Sequence, residues 1–208
     1  MDKRVVIIDY GMGNLHSVYN AFSFIGADPV ITADPQEILD AHHVVLPGVG
    51  HFADAMQELA ARGLIKPIIH SIETGTPFLG ICLGFQLLFE TSDEAPGVKG
   101  LGVFSGNIEK FSGGQQHELK VPHMGWNAIS LAVEDCPLMN NVPSGSYVYF
   151  VHSYYVPTSI KEGGLTKTEY GEDFYSSMWK GNVFATQFHP EKSQCVGLTM
   201  LKNFMEVS

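Results

Sequence analysis

The first half of the chain alternates short, unbroken apolar runs with stretches in which apolar residues recur every three or four positions. Residues 4–9 read as a β-branched strand buried on both faces and ended by Asp9. Leu15, Val18, Tyr19, Phe22 and Ile25 have helical spacing, with Asn14 placed to cap the helix and Gly26 to stop it. A strand over 29–32 follows, then one over 43–46 that ends in the turn Pro47-Gly48-Val49-Gly50. Helices are predicted over 54–61 and 64–73, a strand over 77–80, and a helix from Leu83 or Gly84 to Glu90. This alternation predicts an α/β fold: a doubly wound, largely parallel central sheet with helices on both faces.

The second half changes character. Short strands are predicted over 103–110, 147–151, 165–170, 174–179 and 183–186, separated by Gly, Asn and Pro, with Lys180-Gly181-Asn182 as a hairpin turn. They read as an antiparallel extension of the sheet. A closing helix is expected over 195–207. No internal repeat, low-complexity tract or linker divides the chain, so a single domain over 1–208 is expected.

Composition narrows the function classes. A 208-residue chain with 45% hydrophobic residues has ample core and little disorder character. With 12 Lys and Arg against 22 Asp and Glu, the net charge of −10 argues against binding a phosphate backbone. Charged residues are only 16%, against an ordinary ~25%, which leaves neutral surface for a partner to cover. Three widely spaced cysteines, Cys82, Cys136 and Cys195, support neither a disulfide framework nor a zinc ribbon. The N-terminus meets Asp9 after four apolar residues, too few for a signal-peptide core, and the stretch 77–89 is too short to span a membrane. A soluble, cytoplasmic protein is expected.

The chemistry concentrates at Gly80-Ile81-Cys82-Leu83-Gly84, which stands between a strand and a helix. This is the nucleophile-elbow pattern with Cys in place of Ser. A nucleophile on so sharp a bend has a strained backbone, and the flanking glycines remove the Cβ clashes that would forbid it. The helix N-terminus favours a thiolate, and the unpaired N–H of Leu83 is available to an oxyanion. The bland alternative, a buried cysteine beside two packing glycines, fits Cys136 and Cys195 better, since neither has this setting.

A thiol nucleophile needs a base, and the base an orienter. Among nine histidines, His189-Pro190-Glu191 stands out. Proline biases His189 to extended backbone, where residues two apart point the same way, so Glu191 can accept the ring N–H and leave the other nitrogen to the thiol. His42 and His43 read as a strand-edge pair, and His16 as helix surface. His51, His70 and His117 lack metal-like spacing, while His123 and His152 stay open. Gly48, Val49 and Gly50 form either a tight turn with glycine at positive φ or a second source of oxyanion N–H groups. Gly11-Met12-Gly13 lacks the third glycine of a dinucleotide loop.

Gly80-Ile81-Cys82-Leu83-Gly84, with Gln86 and Phe188-His189-Pro190-Glu191, resembles the class I, triad-type glutamine amidotransferases. The segments 9–15, 46–50, 122–127 and 151–155 narrow the resemblance to the glutaminase subunits of imidazole glycerol phosphate synthases, and it covers the chain from first strand to last helix. The resemblance implies that Cys82 attacks the side-chain amide of glutamine, with His189 as base and then acid and Glu191 orienting it. Leu83 and the Gly48–Gly50 backbone would hold the oxyanion, Gln86 the amino-acid end of the substrate, and the backbone around Ser153 and Tyr154 the other pocket wall. Asn14, Trp126, Asn127 and Lys192 would face a (β/α)₈-barrel cyclase in a heterodimer. The chemistry needs neither metal nor cofactor.

A partner is also expected from the product. Ammonia is mostly protonated in neutral water and must reach its acceptor by a dry route, and nothing in the chain resembles a phosphate-gripping synthase domain. Two other readings stay open: the same glutaminase feeding a different synthase, and a thiol hydrolase built on the same elbow.

Overall fold

Val5, Val6, Ile7 and Ile8 are all fully buried, and they belong alternately to two separate apolar clusters. Only a strand covered on both faces distributes its side chains in this way. In the computed structural model, residues 4–111 and 119–207 are described; residues 1–3 and His117 lie outside them.

The chain runs β1 (Arg4–Ile8), α1 (Leu15–Phe24), β2 (Asp28–Thr32), α2 (Pro35–Leu39), β3 (Val44–Gly48), α3 (Phe52–Ala61), α4 (Ile65–Glu73), β4 (Phe78–Cys82) and α5 (Leu83–Leu87). Then come β5 (Phe89–Ser92), β6 (Phe104–Lys110), β7 (His123–Ala128), β8 (Ser130–Leu131), β9 (Tyr147–His152), β10 (Tyr154–Pro157), β11 (Gly164–Glu169), β12 (Asp173–Lys180), β13 (Val183–Thr186) and α6 (Gln194–Phe204). Among the described residues, eleven strands form one sheet whose main path is β2-β1-β3-β4-β13-β12-β10-β6-β5, and β7 pairs with β9 as a separate ribbon. The strands from β2 to β13 along that path run parallel; β12, β10 and β6 then alternate in direction. The expected α/β architecture, largely parallel with an antiparallel extension, is the one observed.

One face of the parallel half packs on α1 and α6 through Val18, Phe22, Met200, Leu201 and Phe204. The other packs on α2 to α5 through Ile38, Phe52, Leu59, Ile68 and Phe85. Asn14 caps α1 by accepting the Ser17 N–H at 3.4 Å. Gly26, at φ +84°, ends the helix, with the Ala27 N–H bonded to the Phe22 carbonyl at 3.1 Å. The Lys180–Asn182 turn joins β12 to β13, with Lys180 paired to Val183.

Several elements differ from the sequence expectation. β3 and β4 continue to Gly48 and Cys82 because their parallel ladder persists through Gly48↔Cys82. The helix after Cys82 stops at Leu87, five residues long rather than reaching Glu90. There the Leu88 carbonyl accepts the N–H groups of Val103 and Phe104 and pulls the chain into β5. α6 likewise ends at Phe204 rather than 207. α2, β5, β7, β8 and β10 have no counterpart in the apolar pattern.

Candidate active site

Cys82 is the last residue of β4 and the cap of α5, at φ +56° and ψ −109°, a strained conformation for a residue with a Cβ. It is 7% exposed. The glycines beside it serve close packing rather than positive φ. A Cβ on Gly84 would lie 1.8 Å from the Leu46 carbonyl oxygen, and one on Gly48 would lie 2.3 Å from the Tyr10 hydroxyl. Leu83 opens α5, so its N–H is one of the helix's unpaired first donors.

β13 lies parallel to β4, with Thr186 opposite Ile81, so the chain that leaves β13 emerges beside Cys82. His189 is extended, as expected before proline, at φ −97° and ψ 99°. The next three residues are not extended: Pro190–Lys192 is a 3₁₀ turn, and it is this turn that carries Glu191 to the ring. Glu191 Oε1 lies 2.7 Å from His189 Nδ1, with both side chains almost wholly buried. The backbone of His189 is fixed from two sides: its N–H donates to the Tyr149 carbonyl at 3.0 Å, and the Ser193 hydroxyl donates to its carbonyl at 2.6 Å.

His189 Nε2 is buried and has no hydrogen-bond partner of ordinary geometry among the described residues. Burial alone would depress the ring's pKa, but the Cys82 thiol and the Glu191 carboxylate act the other way, and together they raise it to about 10. A thiol, an imidazole and a carboxylate so arranged can serve as a nucleophile, a base and its orienter.

A cavity of about 310 Å³ opens over the thiol, lined by Val49, Gly50, Cys82, Leu83, Gln86, Glu94, Pro122 and the segment from Val151 to Tyr154. Gln86 is buried and donates both N–H bonds inward, to Gln187 Oε1 at 2.9 Å and to the Tyr154 carbonyl at 3.2 Å. The Gln187 amide in turn lies 3.8 Å from Cys82 Sγ.

Leu83, Val49, Gly50, Gln86, Ser153 and Tyr154 therefore meet around Cys82, while His189 and Glu191 stand behind the cavity lining. Gly48 does not line the cavity; it is buried in β3 opposite Cys82, and only Gly50 of this turn has positive φ, at +107°. Sequence reasoning passes over Glu94 and Tyr10, which reach the site from separate elements, and Gln187 and Ser193, which flank the His189 turn. Tyr10 belongs to the segment 9–15, yet nothing in that segment signals that its hydroxyl is buried without a partner among the described residues.

Trp126 is 46% exposed and stands edge-on to Tyr149, whose ring also carries Lys192 Nζ at 5.9 Å. Asn14 is exposed at the start of α1. Asn127, in contrast, turns inward: its amide donates to the Glu169 carbonyl at 2.9 Å and reaches His123 Nε2 at 3.3 Å. His43 is not a strand-edge residue; it is buried, edge-on to Phe204, with Nε2 3.0 Å from the Val207 carbonyl. His16 and His70 are exposed, and His51 caps α3. The three cysteines are unpaired: Cys136 is in the core, its pKa raised to about 11 by burial, and Cys195 is at the surface.

The profile described as "Glutamine amidotransferase class-I" matches residues 6–207. The imidazole glycerol phosphate synthase subunit HisH of Syntrophotalea carbinolica is 49% identical over 203 residues, 96% of this chain and 98% of that one. The subunit of the same name from Methanosarcina acetivorans is 50% identical over 208 residues, 99% of each chain. Among solved structures, PurLQS from Thermotoga maritima superimposes with a TM-score of 0.73 at 21% identity, over 99% of this chain and 97% of that one, a likeness of fold.

Proposed function

The chain belongs to the class-I glutamine amidotransferases, and from that premise we propose that it hydrolyses glutamine and hands the ammonia to a cyclase subunit of an imidazole glycerol phosphate synthase. The observation that carries this reading is Cys82 in a cavity whose walls offer backbone donors and a carboxylate, with the buried His189–Glu191 pair acting on its thiol from behind the lining.

Glu191 accepts His189 Nδ1–H, which leaves Nε2 as the acceptor for the Cys82 proton. The sulfur attacks the glutamine side-chain carbonyl carbon, and the oxygen charge that develops is taken by the N–H of Leu83 with those of the Val49–Gly50 turn. The protonated His189 then gives its proton to the departing nitrogen. Ammonia leaves and a thioester remains on Cys82. Water, with its proton taken by His189, adds to the thioester; the tetrahedral adduct collapses to glutamate, and the thiol is restored. Glu94, a carboxylate in the cavity wall, faces the substrate's α-ammonium group, and the segment at Ser153 and Tyr154 takes its carboxylate.

The whole of 1–208 acts as one glutaminase domain in the cytoplasm, in a heterodimer with a (β/α)₈-barrel cyclase that receives the ammonia through a dry passage. Trp126, Lys192 and Asn14 contribute to the contact surface. The relatives at about half identity over nearly their full length support this destination over another synthase or a plain thiol hydrolase.

The test is Cys82→Ala in the complex with the cyclase. Glutamine hydrolysis is expected to vanish while the two chains still co-elute and the cyclase still works with added ammonia. Residual turnover in the variant would remove the nucleophile from the reading, and failure of the wild-type pair to associate would remove the partner.

A further inference from the structure

The β7–β9 ribbon meets the cavity wall at a junction held by two buried histidines. His123 opens β7 and His152 closes β9; they are register partners, with His123 Nδ1 2.9 Å from His152 Nε2. His152 Nδ1 lies 2.8 Å from the Tyr154 carbonyl. A carbonyl only accepts, so His152 carries its proton on Nδ1, and its Nε2, in the neutral ring, is an acceptor. His123 must then donate from Nδ1, and its own Nε2 accepts from the Asn127 amide at 3.3 Å. Asn127 uses its other N–H on the Glu169 carbonyl and its oxygen on the Ala128 N–H.

Every tautomer and amide in the chain Asn127–His123–His152 is thus dictated by the terminal carbonyl. Burial holds both rings neutral, lowering His123 to about 4 and His152 to about 3. A second proton on His152 would set two donors face to face and add a positive charge near His189. A pair kept only to fill the core needs no such order, since apolar residues of the same shape spare the desolvation of two imidazoles.

The carbonyl at the end of this chain is the one that also accepts from Gln86 Nε2, and Gln86 lines the cavity beside Glu94. We propose that His123 and His152, anchored by Asn127, are positioning residues for substrate recognition: they fix the Tyr154 carbonyl, and through it the Gln86 amide that meets the amino-acid end of glutamine. This rests on the glutaminase reading and deepens it, since it assigns a role in substrate affinity to His123, outside the cavity lining, and to His152 in the cavity wall.

The experiment uses the full chain and two thiol reagents, with labelling read at the Cys82 peptide by mass spectrometry. A diazoketone analogue of glutamine reports recognition through its half-saturating concentration, and iodoacetamide reports the thiol alone. His123→Phe keeps the ring stack, in which His123 lies 3.9 Å from Tyr170 and 4.7 Å from Phe150 between centroids. It removes the donor to His152, as His152→Phe removes the donor to Tyr154.

In both variants the half-saturating analogue concentration is expected to rise about tenfold, the size of a lost buried hydrogen bond. The limiting labelling rate and the iodoacetamide rate should stay within about twofold of the wild type. His152→Asn, which retains a donor near the Nδ1 position, should recover most of the loss. Unchanged half-saturation in His123→Phe, or an equal loss with both reagents, overturns the proposal. If His152→Phe does not fold, His123→Phe decides alone by the same criteria. Wild-type protein that reacts with iodoacetamide but not with the glutamine analogue would instead overturn the glutaminase reading itself.

Discussion

Tyr10 illustrates how a single residue can be buried at a cost. Its ring is fully enclosed, its hydroxyl has no partner among the described residues, and burial next to Cys82 raises its pKa. Tyr10→Phe removes an unsatisfied donor and is expected to raise stability by roughly 1 kcal/mol, read as a higher urea midpoint; a lower midpoint would mean the hydroxyl is engaged after all. Glu191 has the opposite value. Its carboxylate sets the tautomer of His189 across a 2.7 Å bond, so Glu191→Gln should lower the glutamine hydrolysis rate by about a hundredfold or more, and should also lower the melting temperature at neutral pH because it removes one of the groups that raise His189. At this scale the sequence is legible wherever neighbours along the chain are neighbours in space. Gly80, Cys82 and Gly84 announce a bend, and His189 and Glu191 announce a pair. Gln187 and Glu94 announce nothing, because each gains its place only when separate elements are brought together by the sheet.

Among the elements, the strands that read most clearly are those with the least choice. β1 after Arg4 and β13 up to Thr186 are apolar runs, buried throughout, that suit only a two-sided core. β7 contains Gly125 and Asn127 and exposes Met124 and Trp126; it is a strand because β9 supplies its ladder, and no periodicity in its own residues says so. The stop of α5 after Leu87 is set in the same way by the backbone donors of Val103 and Phe104. The elbow itself rests on how closely α5 approaches β3. With a Cβ at Gly84 placed 1.8 Å from the Leu46 carbonyl oxygen, either helix or strand must move. Gly84→Ala is therefore expected to cost about 3 kcal/mol or more and to displace Cys82, seen together as a lowered urea midpoint and loss of labelling by a glutamine analogue. Normal labelling at normal stability would show that the contact yields cheaply.

For the molecule as a whole, three buried histidines set opposing dependences on pH. His189 is raised from 6.5 to about 10, so its contribution is fully present below about pH 6.5 and is lost as the pH climbs through 10. His123 and His152 are lowered from 6.5 to about 4 and about 3; their contribution is present above about pH 6.5 and is lost as the pH falls through those values. The urea midpoint is expected to peak near pH 6.5 and decline on both sides, with the alkaline limb flattened in His189→Asn. A midpoint that rises steadily from pH 7 to 9 would contradict this. The direction in which one side-chain amide is spent also limits what the cavity can accept. Gln86 must donate to the Tyr154 carbonyl, which fixes its nitrogen inward and leaves oxygen as its only group for a guest. With Glu94 also offering oxygen, the cavity pairs acceptors with a free amine and has little to give an acylated one. On the proposed reaction, free glutamine brings both the amine these oxygens seek and the carboxylate taken at Ser153 and Tyr154, whereas glutamine inside a protein, or carrying an N-acetyl group, passes the enzyme uncut.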